Sequence, residues 1–312
     1  MVPLKAGLVL ALFAALPAAA QDRAAPAPTV DEAALQKDRY ERMTVPVTVD
    51  GAGPYRFLID TGAQATVVTH EMVDDLALRR SGTATLVAMG GSQEVETIEL
   101  DDLEFANRSV SGLVAPLLHA SHIGADGILG LDSLQDMRVL IDFRERRMQV
   151  ADADSLGGNY GYEIVVRARP KLGQMIITDA RVNGVKTSVI IDTGAQNTIA
   201  NPALMARLRG RKGEDVKTID VLGTELSSKS VLVRTLQISD VVLTEVPIAI
   251  TDSPIFAALG LEDKPALVLG VNNLSVFNRV AIDFPTRRIL FDIPSDSANG
   301  RAAITSIRRF GT

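Results

Sequence analysis

The sequence predicts an all-β protein made of two homologous lobes. Three observations carry that expectation. The apolar mass is Val, Ile, Leu and Ala, with aromatic residues at 4% and no Trp, a composition that suits pleated, half-buried strands. The stretch from Phe57 to Val68 recurs almost letter for letter from Val189 to Ala200, 132 positions later. Further landmarks follow each copy in register, which marks a duplicated unit. With 312 residues, the chain is long enough for two ordinary domains and a substantial core.

Residues 1–20 carry Lys5, an apolar core from Ala6 to Leu16 and then Pro17-Ala18-Ala19-Ala20. This pattern reads as a signal peptide cleaved after Ala20. The apolar run is shorter than the roughly 20 residues a bilayer span needs, so no membrane span is expected after cleavage. The chain has no cysteine, which for an exported protein fits a periplasmic location. Residues 21–39 are Ala/Pro-rich and read as a flexible leader.

The first lobe is expected over 40–150. Thr44 to Thr48 alternates as a strand does, and Asp50-Gly51 supplies hairpin chemistry before Tyr55. An apolar run then delivers Asp60 onto the turn Thr61-Gly62, with Ala63 and Gln64 following, and a second apolar run begins after Thr66. A short helix is expected over 70–78, then a hairpin from Thr83 to Leu100 with Gly90-Gly91 at its tip. The lobe closes on Ile128-Leu129-Gly130, a helical segment, and the strand Val139 to Asp142.

Residues 151–161, rich in Asp, Ser and Gly, read as a linker, and 162–293 as the second lobe. Asn183-Gly184 plays the part of Asp50-Gly51, and Val189 to Ile191 deliver Asp192 onto Thr193-Gly194-Ala195. Leu222-Gly223-Thr224 lies 30 residues after Asp192, as Met89 lies 29 after Asp60. Val268-Leu269-Gly270 and Val280 to Asp283 repeat the end of the first lobe. Residues 294–312 read as a surface tail.

Two Asp-Thr-Gly-Ala motifs, each with a hydrophobic-hydrophobic-Gly segment downstream, resemble the aspartic peptidases. Alanine after the glycine and a glycine-tipped hairpin in both halves resemble the retropepsin-like branch. The resemblance covers about residues 40–293 and implies a bilobal acid-peptidase fold, two β-barrel lobes with a few short helices. Retroviral members are homodimers with one motif per subunit, whereas this chain carries both, as in a fused dimer, so a monomer is expected. By the resemblance Asp60 and Asp192 are the catalytic dyad, supported by Thr61, Gly62, Thr193 and Gly194. Flaps are expected at Met89, Gly90 and Gly91 and at Leu222, Gly223 and Thr224. No tyrosine stands near Met89 as it does in the single pepsin flap, which favours two flaps.

The chemistry follows from the pair. Two carboxyls held a few Å apart do not both ionise; they share a proton, so one acts as base and the other as acid. Such a dyad activates water against a peptide carbonyl without metal, cofactor or covalent intermediate. A protein or peptide substrate is expected to lie extended between the lobes, under hairpins at 86–96 and 221–229. Ala63 and Ala195 stand where pepsin-like sites often have a hydroxyl, and this places activity nearer neutrality.

Other classes find no support. Net charge is −6 with no basic segment beyond Arg207 to Lys212, which reads as a solvated loop, so nucleic acid is not an expected partner. His70, His119 and His122 show no metal-ligand spacing, there is no HExxH or G-x-S-x-G, and no cysteine is available as a nucleophile. Asp126, Asp142 and Asp283 read as turn or salt-bridge carboxylates. The competing class is a non-catalytic peptide-binding or scaffold protein of the same fold; it would not require two mutually repelling carboxylates.

Overall fold

The computed structural model describes residues 43–106, 108–151, 155–208 and 213–294, and the backbone of three short strands at Asp31–Ala34, Gln36–Lys37 and Ala303–Thr305. The expected signal peptide, its cleavage site and Arg209 to Lys212 lie outside the described residues.

Strands dominate, and the two lobes repeat one order. In the first lobe the sheet runs Arg80–Ala88, Gly91–Leu100, Leu113–Leu118, Val67–Thr69, Gly127–Leu129, Ala52–Ile59, Met43–Val49. In the second it runs Glu214–Ile219, Glu225–Ile238, Val241–Ile250, Ile199–Ala200, Ala266–Leu269, Val185–Ile191, Gln174–Val182. Within each, the strand that leads into Asp-Thr-Gly lies parallel to the strand of the downstream glycine segment. Ile128 pairs with Leu58 and Leu129 with Ile59; Val268 pairs with Ile190 and Leu269 with Ile191. All eight residues are buried, which is why these runs read as continuous apolar stretches rather than alternating ones.

A third sheet joins the lobes. Its six strands run Asp31–Ala34, Arg147–Ala151, Arg138–Asp142, Arg279–Asp283, Arg288–Asp292, Ile164–Arg167. Three strands come from each half, and the antiparallel seam pairs Leu140 with Ala281 at its centre. One end of the seam buries an ion pair. Arg138 and Asp283 are 2% and 0% exposed and meet at 2.6 Å, and Arg138 also donates to the Gly158 carbonyl. Burial alone would raise the Asp283 carboxyl, but the Thr286 N–H and hydroxyl and the Arg138 guanidinium hold it below its ordinary value. At the other end Arg279 turns aside to Asp292, and Asp142 instead accepts the Arg144 and Glu145 N–H groups. Among the described residues, no helix is long and apolar enough to cross a membrane.

Several expected boundaries shift. Asp31–Ala34, read as leader, pairs with Arg147–Ala151, and Gln36–Lys37 pairs with Met43 and Thr44. Ala303–Thr305, read as tail, runs parallel to Val242–Thr244. Open strand edges supply partners for chain that has little apolar pattern of its own. Ala151 closes a strand rather than opening the linker. The helix expected over 70–78 is His70–Asp75 with Leu76 as its cap, because Ala77 takes φ +52° and ends it. The hairpin expected from 221 begins at Glu214; its first arm follows the basic run and carries mostly exposed residues, so nothing apolar announced it.

The seam is a stability determinant. Arg138→Met leaves Asp283 buried without its cation and is expected to lower the urea-unfolding free energy by about 3–5 kcal/mol. Arg80→Met, which breaks an exposed pair with Asp74, is expected to leave the urea midpoint unchanged.

Candidate active site

The two Asp-Thr-Gly turns meet at the lobe boundary. Each aspartate begins where the parallel pairing ends: Asp60 N–H donates to the Leu129 carbonyl at 3.0 Å, and Asp192 N–H to the Leu269 carbonyl at 3.2 Å. The threonines lock the turns together. Thr61 N–H donates to Thr193 Oγ1 at 3.1 Å and Thr193 N–H donates to Thr61 Oγ1 at 3.2 Å. Each hydroxyl then donates across the boundary, Thr61 to the Ile191 carbonyl at 3.0 Å and Thr193 to the Ile59 carbonyl at 2.6 Å. Both threonines are buried, at 2% and 1% exposure, so every one of these bonds is shielded from competing water.

Gly62 and Gly194 permit the approach. A Cβ on Gly62 would lie 2.5 Å from the Asp192 carboxyl carbon, and one on Gly194 would lie 2.1 Å from Asp60 Oδ2. Any side chain at either position pushes the two carboxyls apart.

The carboxyls are held alike. Asp60 Oδ1 accepts the Gly62 and Ala63 N–H groups at 2.8 and 2.9 Å, and Asp192 Oδ1 accepts those of Gly194 and Ala195 at 2.8 and 3.0 Å. Burial, then the Asp60 charge and a hydrogen bond to Asp60, push the Asp192 carboxyl well above its ordinary value, against the pull of the Ala195 and Gly194 N–H groups. Ala63 and Ala195 contribute only backbone N–H groups here.

Behind each turn a threonine ties the loop to its downstream glycine. Thr66 Oγ1 donates to Asp132 at 2.7 Å and accepts the Gly130 N–H at 3.1 Å; Thr198 Oγ1 bonds Asn273 at 2.7 Å and accepts the Gly270 N–H at 3.1 Å. Gln174 crosses the boundary and donates from Nε2 to the Gly62 carbonyl at 2.5 Å. Its Oε1 is buried without a partner among the described residues. Sequence reading missed Gln174, since a glutamine beside a glycine turn carries no motif.

The expected flap tips lie over the opposite lobe. Met89 packs on the second-lobe cluster of Ile176, Phe256, Leu259 and Val268, and Ser253 Oγ approaches its sulfur at 3.7 Å. Leu222 and its neighbour Val221 pack on the first-lobe cluster of Leu58, Val67, Ile123 and Ile128. Gly90 abuts Asp220 and Thr224, Gly223 abuts the His122 ring, and Gly91 stands clear of other groups. The three histidines, which show no metal-ligand spacing in the sequence, form a row, with ring centroids 4.7 Å apart for His70 and His119 and 5.6 Å for His119 and His122. Asp126 sits apart from the dyad, accepting the Arg56 N–H. Among the described residues no group of three or more His, Asp or Glu is placed to hold a metal ion.

Comparison with known families matches each lobe separately. Residues 45–136 match a family described as gag-polyprotein putative aspartyl protease, and residues 178–272 match a family described as aspartyl protease. No curated protein matches the chain. With an aspartyl protease domain on each half of a two-lobed β fold, the chain belongs to the retropepsin-like aspartic peptidases.

Proposed function

We propose that the protein is an aspartic endopeptidase in which Asp60 and Asp192 together activate a water molecule. The observation that carries this reading is the mutual lock of Thr61 and Thr193, which holds two carboxyls in contact across the lobe boundary. A fold meant only to bind peptide has no use for that repulsion. Asp192, whose neutral form is favoured, holds the shared proton and donates it to the carbonyl oxygen as the tetrahedral centre forms. Asp60 takes the proton of the attacking water. The new amine then leaves with a proton returned from the dyad, so no metal or covalent adduct enters the cycle.

The substrate is a protein or peptide lying extended between the lobes and beneath the two hairpins, where main-chain bonds position it. Both halves of the site come from one chain, which supports a working monomer. Export to the periplasm and removal of residues 1–20 are supported by the Ala-x-Ala ending at Ala20 and the absence of cysteine. Substrates are therefore periplasmic or envelope proteins.

Loss of either carboxylate should end the reaction without unfolding the protein. Asp60→Asn and Asp192→Asn are each expected to lower kcat on a peptide library by at least about a hundredfold, with circular dichroism unchanged. A variant that cleaves at the wild-type rate contradicts the dyad, as does a wild-type protein that leaves every peptide intact from acid to neutral pH.

The acidic limb of the pH profile provides a second check. Protonating the ionised carboxylate stops the reaction as pH falls, and a hydroxyl donated to that carboxylate delays its protonation. Ala63→Ser is therefore expected to move the acidic limb of kcat/KM down by about one pH unit. A limb that stays in place or moves up refutes the part assigned to the alanines.

A further inference from the structure

The two flap tips are joined by one contact that the internal repeat does not explain. Gly90, in the tip of the first flap, donates its N–H to Asp220 Oδ2 of the second flap at 2.8 Å. The other oxygen of the same carboxylate organises its own turn, with Asp220 Oδ1 accepting the Leu222 and Thr224 N–H groups at 3.0 and 2.8 Å. Asp220 is 8% exposed, so its three N–H donors largely replace water around the charge. The contact is also close-fitted. A Cβ on Gly90 would stand 2.8 Å from Asp220 Oδ2 and 2.9 Å from Thr224 Cβ.

The arrangement is one-sided. Asp220 lies two residues before Leu222, and the residue two before Met89 in the first flap is Val87, which is 47% exposed and has no acceptor. Duplication of the lobes therefore supplied two hairpins but only one carboxylate. The rest of each tip is seated by apolar contact with the opposite lobe, Met89 on one side and Val221 and Leu222 on the other.

We infer that Asp220 is the latch of a double lid: its carboxylate fastens the second flap to the backbone of the first and holds both tips closed over the dyad. An extended peptide must part this bond to enter, and the products must part it to leave. The latch governs access and residence rather than the bond-breaking step, and its part in turnover rests on the peptidase reading above. Asp220 is thus a positioning residue, acting through Gly90 and the tips.

The absence of cysteine makes the latch measurable. Cysteines introduced at Val87 and Ile219, exposed at 47% and 69% on the arms of the two flaps, are the only thiols in the chain and accept spin labels. Their separation reports the tips with no substrate present, so the outcome does not depend on proteolysis. Asp220→Asn keeps an acceptor oxygen for Leu222 and Thr224 and turns its amide N–H toward the Gly90 N–H, donor against donor. In that variant the closed-to-open ratio is expected to fall about tenfold or more, with thermal unfolding little changed. Gly90→Ala, which leaves Asp220 intact and wedges the tips apart, is expected to do the same. In either variant a bound peptide is expected to leave at least about fivefold faster while kcat/KM changes less. An unchanged label distance in both variants overturns the latch, whatever happens to activity. So does a fall in thermal stability with the distance unchanged, because Asp220 is then only a turn stabiliser. Widened tips with no peptide cleavage by any form leave the latch standing and refute the peptidase reading instead.

Discussion

Two carboxyl groups that repel each other when both are ionised are held in contact here by four hydrogen bonds between two threonines and the backbone of the opposite lobe. Thr61 and Thr193 each give a hydroxyl hydrogen to the strand preceding the other aspartate and receive the other's N–H. Neither lobe can move its aspartate without breaking bonds belonging to both. Burial of the threonines makes those bonds hard to exchange for water, and the unfavourable pairing of Asp60 with Asp192 is stored in the fold as a displaced proton equilibrium.

The surrounding architecture carries this constraint outward in layers. The parallel pairings of Leu58 with Ile128 and of Ile190 with Val268 fix the strands that present each aspartate. Thr66 and Thr198 then bind each turn to its glycine segment. Farther from the dyad, the six-stranded sheet sets the two lobes against each other through the buried Arg138–Asp283 pair. The two hairpins cross, each resting its apolar tip on the other lobe. The same duplication serves all these layers, and the departures from it are local: Arg279 bonds Asp292 rather than Asp142, and Asp220 has Val87 as its counterpart.

Much of this was legible in the sequence because a repeat exposes its own landmarks. The hairpin turns at Asp50-Gly51 and Asn183-Gly184, the Asp-Thr-Gly turns and the two glycine segments came in the same order in both halves, and short apolar runs showed which strands are buried on both faces. What was not legible depends on contacts between residues far apart that have no pattern of their own. Asp220 reads as one more polar turn residue until Gly90 is placed against it. Gln174 gives no signal at all, and the histidine row joins the start of one helix at His70 to the short helix Ala120–Ile123, which His119 caps and which holds His122. The strands Asp31–Ala34 and Ala303–Thr305 were missed because they add to edges already formed rather than nucleating structure themselves.

In the proposed mechanism both aspartates bind one tetrahedral centre. A peptide in which a hydroxymethylene replaces the scissile amide carries a hydroxyl where the attacking water and carbonyl oxygen would be, and its affinity reads the claim directly. Calorimetry on the wild type, Asp60→Asn and Asp192→Asn with a set of such peptides is expected to show binding at least about a hundredfold tighter than for the parent amides. That advantage should be lost to a similar degree in both variants. A hydroxymethylene peptide that binds no better than its amide, or whose affinity survives either substitution, would contradict a shared dyad and return the protein to the class of peptide binders.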